Sequence, residues 1–199
     1  MSTIPLKPGI YYHIHNRGNN KENIFKEDRN YLFFLTKVKK YLLDISDIYA
    51  YCLMPNHFHL VSKIKTHDAL PSEYQTGKKR IHQPFSNLFN AYTKAINKAT
   101  GRTGSLFQEH FGRHVINDEK YLQNIIIYVH LNAVKHGFTD DYRKYKHSSY
   151  HSLISEGHTH LQRHKVMDLF GDKESFIFCH QAQQYHLTHH LNEIENEDC

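Results

Sequence analysis

The sequence predicts an α+β sandwich: an antiparallel sheet with its crossover helices on one face, an additional helix and a C-terminal helical extension. Three observations point to it. Short strand-like runs recur at "GIYYHIHNRG", "IYAYCLM", "HFHLVSKI" and "RHVI". Two longer segments with apolar residues at helical spacing separate the first run from the second and the third from the fourth. The resulting order, strand-helix-strand-strand-helix-strand, is the connectivity of a ferredoxin-like (RRM-like) sheet.

Each element has its own signal. The first strand closes on an Arg-Gly turn at Arg17 and Gly18. The first helix, Asp28 to Asp44, opens on an acidic cap and places Leu32, Leu35, Val38 and Leu42 on one stripe. The second and third strands meet at a tight turn made by Pro55 and Asn56. Residues 65–84 are polar and broken by Pro71, Gly77 and Pro84, which predicts a long surface loop with Lys78, Lys79 and Arg80 at its tip. The second helix starts near Pro84 and ends before Gly101, burying Phe85, Leu88, Phe89, Tyr92 and Ile96. Two glycine turns lead to the fourth strand. Asp118 then caps a third helix that Gly137 ends, with a core stripe at Leu122, Ile125, Ile126 and Val129. From about Asp140 the sequence suggests a connecting segment and one or two short helices. Residues 1–150 form the expected main domain and residues 151–199 an extension with an acidic, flexible tail.

Composition limits the function classes. A chain of 199 residues, 39% hydrophobic and 13% aromatic, is a globular protein with a sizeable core. No apolar run reaches the roughly 20 residues of a membrane span, and no basic-then-apolar leader opens the chain. Cys52, Cys179 and Cys199 are odd in number and far apart, which suits reduced thiols in a cytoplasmic protein better than a disulfide framework. The net charge is +5, unevenly placed: Glu193, Glu195, Glu197 and Asp198 crowd the end, and no Lys or Arg follows Lys173. The rest of the chain is basic enough to meet a polyanion.

Two constellations carry chemistry. In a strand, residues i and i+2 share a face, so His57 and His59 of "CLMPNHFHLV" stand side by side and their ring nitrogens can converge on one divalent ion. Phe58 and Leu60 would point the other way, beneath the helices. With 19 histidines, chance alone supplies about two such pairs, and His13/His15 and His158/His160 are the others present. On the third helix, Tyr128 and Asn132 lie one turn apart and Lys135 extends that flank. A nucleophile, an oxygen ligand and a cation suit phosphate chemistry; a core-edge tyrosine with two solvated neighbours gives the same spacing.

The motifs "YYHIHNRGNNKENIF", "AYCLMPNHFHLV", "AYTKAINKATGRTGSLFQEHF", "YVHLNAVKHG" and "YKHSSYHSLIS" occur in this order between about residues 9 and 150. Together they resemble the HUH-type single-tyrosine transposases of the insertion-sequence family, closest to the REP-associated tyrosine transposases. One position departs from that pattern. Ala133 follows Asn132 where the family usually has proline, which would shape the helix end.

The resemblance implies a DNA endonuclease and strand transferase. His57, His59 and the Asn132 oxygen would bind Mg2+ or Mn2+, Tyr128 would attack a scissile phosphodiester, and Lys135 would stabilise the phosphate. The product would be a 5′-phosphotyrosine beside a free 3′-hydroxyl. A tyrosine hydroxyl ionises near pH ~10 in water, so the attack needs a nearby positive field. His130 lies about 200° around the helix from Tyr128 and is not assigned as the base. The implied partner is single-stranded DNA carrying a hairpin, met by a monomer or homodimer. Its phosphates would be contacted by Arg17, Lys78, Lys79, Arg80, Lys94, Lys98, Arg102 and Arg113. His13 and His15 sit on a strand that could neighbour the histidine strand and support it, with packing in the core or at its edge the favoured alternative. The competing reading is a hairpin-binding module without turnover. A small zinc hydrolase would want a carboxylate base beside the histidines, and the motif has none.

Overall fold

The computed structural model describes residues 4–197, with side chains as far as residue 187. The acidic side chains of 193–198 and Cys199 therefore lie outside the described residues. Strands β1 (Tyr11–Arg17), β2 (Ser46–Met54), β3 (His57–Ile64) and β4 (Gly112–Ile116) form one antiparallel sheet in the order β2-β3-β1-β4. Met54 pairs with His57, so Pro55 and Asn56 make the expected two-residue turn.

Helix α1 (Asp28–Leu42) is capped by Glu27, which forms a reciprocal box with Asn30. Its buried face is Tyr31, Phe34, Val38 and Leu42. Leu35 packs half-buried against this core, but Leu32, expected on the same stripe, is 67% exposed. Residues 31–35 are apolar at every position, so the local pattern is compatible with more than one phase. Ring packing decides between them: Phe34 meets Phe25, Phe58 and Tyr92. The polar segment after β3 contains a single helical turn, α2 (Ser72–Gln75), where only loop is expected from the sequence. Helix α3 (Gln83–Thr100) buries the five residues expected of it and ends at Gly101, whose φ of +66° suits only glycine well.

Helix α4 (Glu119–Lys135) begins where the Asp118 side chain accepts a hydrogen bond from the Tyr121 amide. Ile125 is half-exposed and Ile127 buried, and everything from Val129 to Val134 is buried. The one-sided stripe fails because α4 is covered on both sides. The sheet lies beneath it, and α5 (Tyr150–Ile154), α6 (Arg163–Phe170) and α7 (Lys173–Glu197) lie over it. The short helices α5 and α6 match the one or two expected there, and the 25-residue α7 is an addition the sequence reading does not contain. Helices α1 and α3 pack on one sheet face with Tyr12, Ile14, Phe58 and Leu60. Helices α4 to α7 pack on the other with Tyr49, Cys52, Met54 and Val61. Ala133 keeps α4 continuous to Lys135, and the Phe138 amide closes the helix on the Ala133 carbonyl.

Candidate functional site

Strand alternation sends Phe58 and Leu60 into the α1–α3 core and leaves His57 and His59 on the α4 face. The register adds more imidazoles to that face. His15 pairs with His59 across β1 and β3, and His13 pairs with His114 across β1 and β4. Gly112 stands opposite His15, and a Cβ there would overlap the His15 ring.

Hydrogen bonds orient these rings. His57 Nδ1 donates to Asn56 Oδ1 at 2.6 Å, which leaves His57 Nε2 as a bare, buried acceptor without a partner. His59 Nδ1 lies 2.8 Å from His13 Nε2. With the proton on His59 Nδ1, the lone pair at His59 Nε2 is free for a ligand. The Nε2 atoms of His15 and His114 are 3.3 Å apart. Burial, with the neighbouring imidazoles adding to it, pushes His57 down to about 4 and His59 down to about 2. Both rings are therefore neutral at pH 7, the form that ligates metals.

Helix α4 delivers the remaining groups. The Tyr128 ring stands edge-on to His59, centroids 5.8 Å apart, and to His13 at 5.9 Å. These groups come from one chain, so no second subunit is needed to bring them together. Lys135 Nζ lies 5.2 Å from the Tyr128 ring centroid. Asn132 is 0% exposed, and neither its Oδ1 nor its Nδ2 has a hydrogen-bond partner. It lies near enough to His57 to oppose the effect of burial on that ring. A cavity of about 320 Å³ opens among His15, Arg17, His57, His59, Tyr128 and His136.

An unpartnered buried polar atom costs about 1–3 kcal/mol, and here His57 Nε2 and the Asn132 amide are both left so. That pattern fits a site completed by a cation. Among the described residues no group of three or more His, Cys, Asp and Glu could hold a metal ion, so an ion here would need the Asn132 oxygen as third donor. Two imidazoles and an amide oxygen suit Mg2+ or Mn2+, with nitrogen ligation favouring Mn2+.

The predicted cations do not converge equally. Arg17 is exposed at the pocket and pairs across the strands with His57. Lys78, Lys79 and Arg80 follow the far end of β3, roughly 20 Å along the strand from His57, and Lys79 is paired with Glu73. Lys94 and Lys98 are exposed on α3, which packs on the opposite sheet face. Arg102 is committed internally, to Glu22, to Asn97 and to the carbonyls of Thr103, Gly104 and Ser105. Arg113 lies 4.1 Å over the Phe111 ring, and burial lowers its pKa. His130, as expected, faces away from the cavity, bonded to Ser149 at 2.7 Å and His180 at 2.8 Å. Sequence reasoning missed His114 and His136. The alternation of "RHVI" places His114 on one sheet face, but only strand order shows which.

No family model matches the chain. A Haemophilus influenzae protein assigned to the REP-associated tyrosine transposases is 28% identical over 104 residues, 51% of this chain and 57% of that protein. The chain thus spans little over half the length of the curated relative it matches. Among solved structures, a REP-associated tyrosine transposase bound to a REP hairpin shares the fold at a TM-score of 0.58 and 20% identity, covering 79% of this chain and 86% of that one. The resemblance read from the motifs thus has a counterpart in both sequence and fold.

Proposed function

We propose that this chain, a relative of the REP-associated tyrosine transposases, cuts and rejoins single-stranded DNA beside a hairpin through a covalent tyrosine intermediate. The observation that carries the reading is the juxtaposition on one chain of Tyr128, the rings of His59 and His13, and the unpartnered atoms of His57 and Asn132. A folding core has no use for two adjacent bare polar groups beside an accessible phenol, whereas a phosphate-and-cation site does.

In this mechanism His57 Nε2, His59 Nε2 and Asn132 Oδ1 would hold a divalent cation, which would supply Lewis-acid chemistry at the phosphate oxygens. Tyr128 Oη forms a bond to phosphorus as the bond from phosphorus to the 3′-oxygen breaks. The phenol loses its proton and the departing oxygen gains one, leaving a 5′-phosphotyrosine and a 3′-hydroxyl. One phosphodiester replaces another, so the step is close to neutral in free energy and rejoining needs no nucleotide cofactor. Lys135 holds positive charge beside the Tyr128 ring, and Arg17 does so at the mouth of the histidine pocket.

The test is a denaturing gel of hairpin oligonucleotides with single-stranded flanks, incubated with Mn2+. Wild-type protein should shift a labelled fragment into a protein-linked band. Tyr128→Phe should lose that band and still bind the hairpin. An adduct at the wild-type rate from Tyr128→Phe would refute the assignment.

A further inference from the structure

Tyr128 is a wall shared by two cavities. One is the histidine pocket. The other, about 370 Å³, lies between α4 and α7, bordered by Asn124, Ile127, Leu131, Lys135, Gln183 and Leu187. The helices are pinned together by the bond between His130 and His180, and this second cavity begins one turn farther along α7. Its walls are apolar: Ile127 and Leu131 from α4, Leu187 from α7. Asn124 and Gln183, one from each helix, stand exposed with no side-chain hydrogen bond among the described residues.

A strand cut at Tyr128 has a nucleotide on either side of the scissile phosphate, and two cavities flank the attacking residue. An apolar slot takes the faces of an unpaired base, as stacking surfaces do in single-strand binding. An amide presents a donor and an acceptor together, which complements the donor–acceptor edge of an unpaired base. Lys135 stands at the same cavity as a cation for the adjoining backbone. The volume lies within the roughly 300–1,000 Å³ range of small-ligand pockets. We infer that the α4–α7 cavity is a base-reading subsite for one unpaired nucleotide next to the scissile phosphate. This rests on the proposed strand-cutting function and adds where its sequence preference is set.

The test uses a pool of hairpin oligonucleotides with randomised single-stranded flanks, bound by Tyr128→Phe protein so that nothing is cut, followed by sequencing of the retained molecules. One base should be enriched severalfold at a single flank position. Asn124→Ala with Gln183→Ala should flatten the preference at that position alone, with hairpin selection and thermal stability unchanged. Gln183→Trp, which fills the slot from an exposed position, should weaken binding of flanked hairpins about tenfold and leave flankless hairpins unaffected. If both variants keep the wild-type flank preference and the wild-type ratio of flanked to flankless affinity, the cavity is only a packing gap. If no hairpin is retained by any protein and wild-type forms no adduct, the strand-cutting reading itself falls, and the subsite with it.

Discussion

A buried amide with neither of its atoms bonded is a cost that folding alone does not recover. Asn132 is such a group, so it should destabilise the metal-free protein. Asn132→Leu, of similar size, should raise metal-free stability by about 1–3 kcal/mol, measured by thermal unfolding in EDTA. Added Mn2+ should raise the stability of the wild type and not that of this variant. A fall in stability instead would mean that Asn132 is an ordinary satisfied core residue. His13 acts one bond further out, through the 2.8 Å contact that orients His59. His13→Ala should weaken Mn2+ binding about 10–100-fold by electron paramagnetic resonance titration, and His13→Gln, which keeps an acceptor, should recover part of it. Equal affinities in all three proteins would leave His13 without an orienting role. Of the site's members, His57, His59, Tyr128, Asn132 and Lys135 are legible in the sequence as spacing. Their meeting is not, because spacing along one element carries no information about the element opposite.

At the scale of elements, strand pairing is what turns scattered histidines into a face. Gly112 lets the His15 ring lie across β4, and Gly112→Ala should displace it at a cost of about 1–3 kcal/mol. In the His15→Ala background the same substitution should cost far less, a non-additivity that denaturant unfolding of the four proteins would expose. Additive costs would show that the ring does not need the gap. Helix boundaries are largely legible, since Asp118, Gly101 and the Pro55–Asn56 turn act over a few neighbouring residues. Helix faces are less so. Periodicity misplaces Leu32 of α1 because five consecutive apolar residues fit two phases, and it makes α4 one-sided because nothing in that helix's own sequence reveals α7 above it.

At the scale of the molecule, α4 is held between the sheet and the C-terminal helices through the buried chain Ser149–His130–His180. Burial pushes His180 down to about 4, against about 6.5 for a free imidazole. On acidification the unfolded chain takes up its proton near pH 6.5, while the folded chain holds out until about pH 4. Stability is full above pH 6.5 and falls as pH drops, by roughly 3 kcal/mol for this group. Urea unfolding at pH 7 and pH 4.5 should therefore show a larger loss for the wild type than for His180→Leu. Equal losses would place the acid sensitivity elsewhere.

By itself the sequence determined the order of the four strands with α1, α3 and α4, the turn between β2 and β3, the caps of α4 and the identity of the paired histidines and the tyrosine flank. These depend on periodicity and on chemistry within a few residues, which a linear reading contains. Only the tertiary structure decided that His13 bonds to His59, that Asn132 is sealed from water with its amide bare, that Arg102 is spent on its own loop, and that Tyr128 borders two cavities. Each of these depends on register, burial and the element packed opposite, which arise from contacts between residues tens of positions apart.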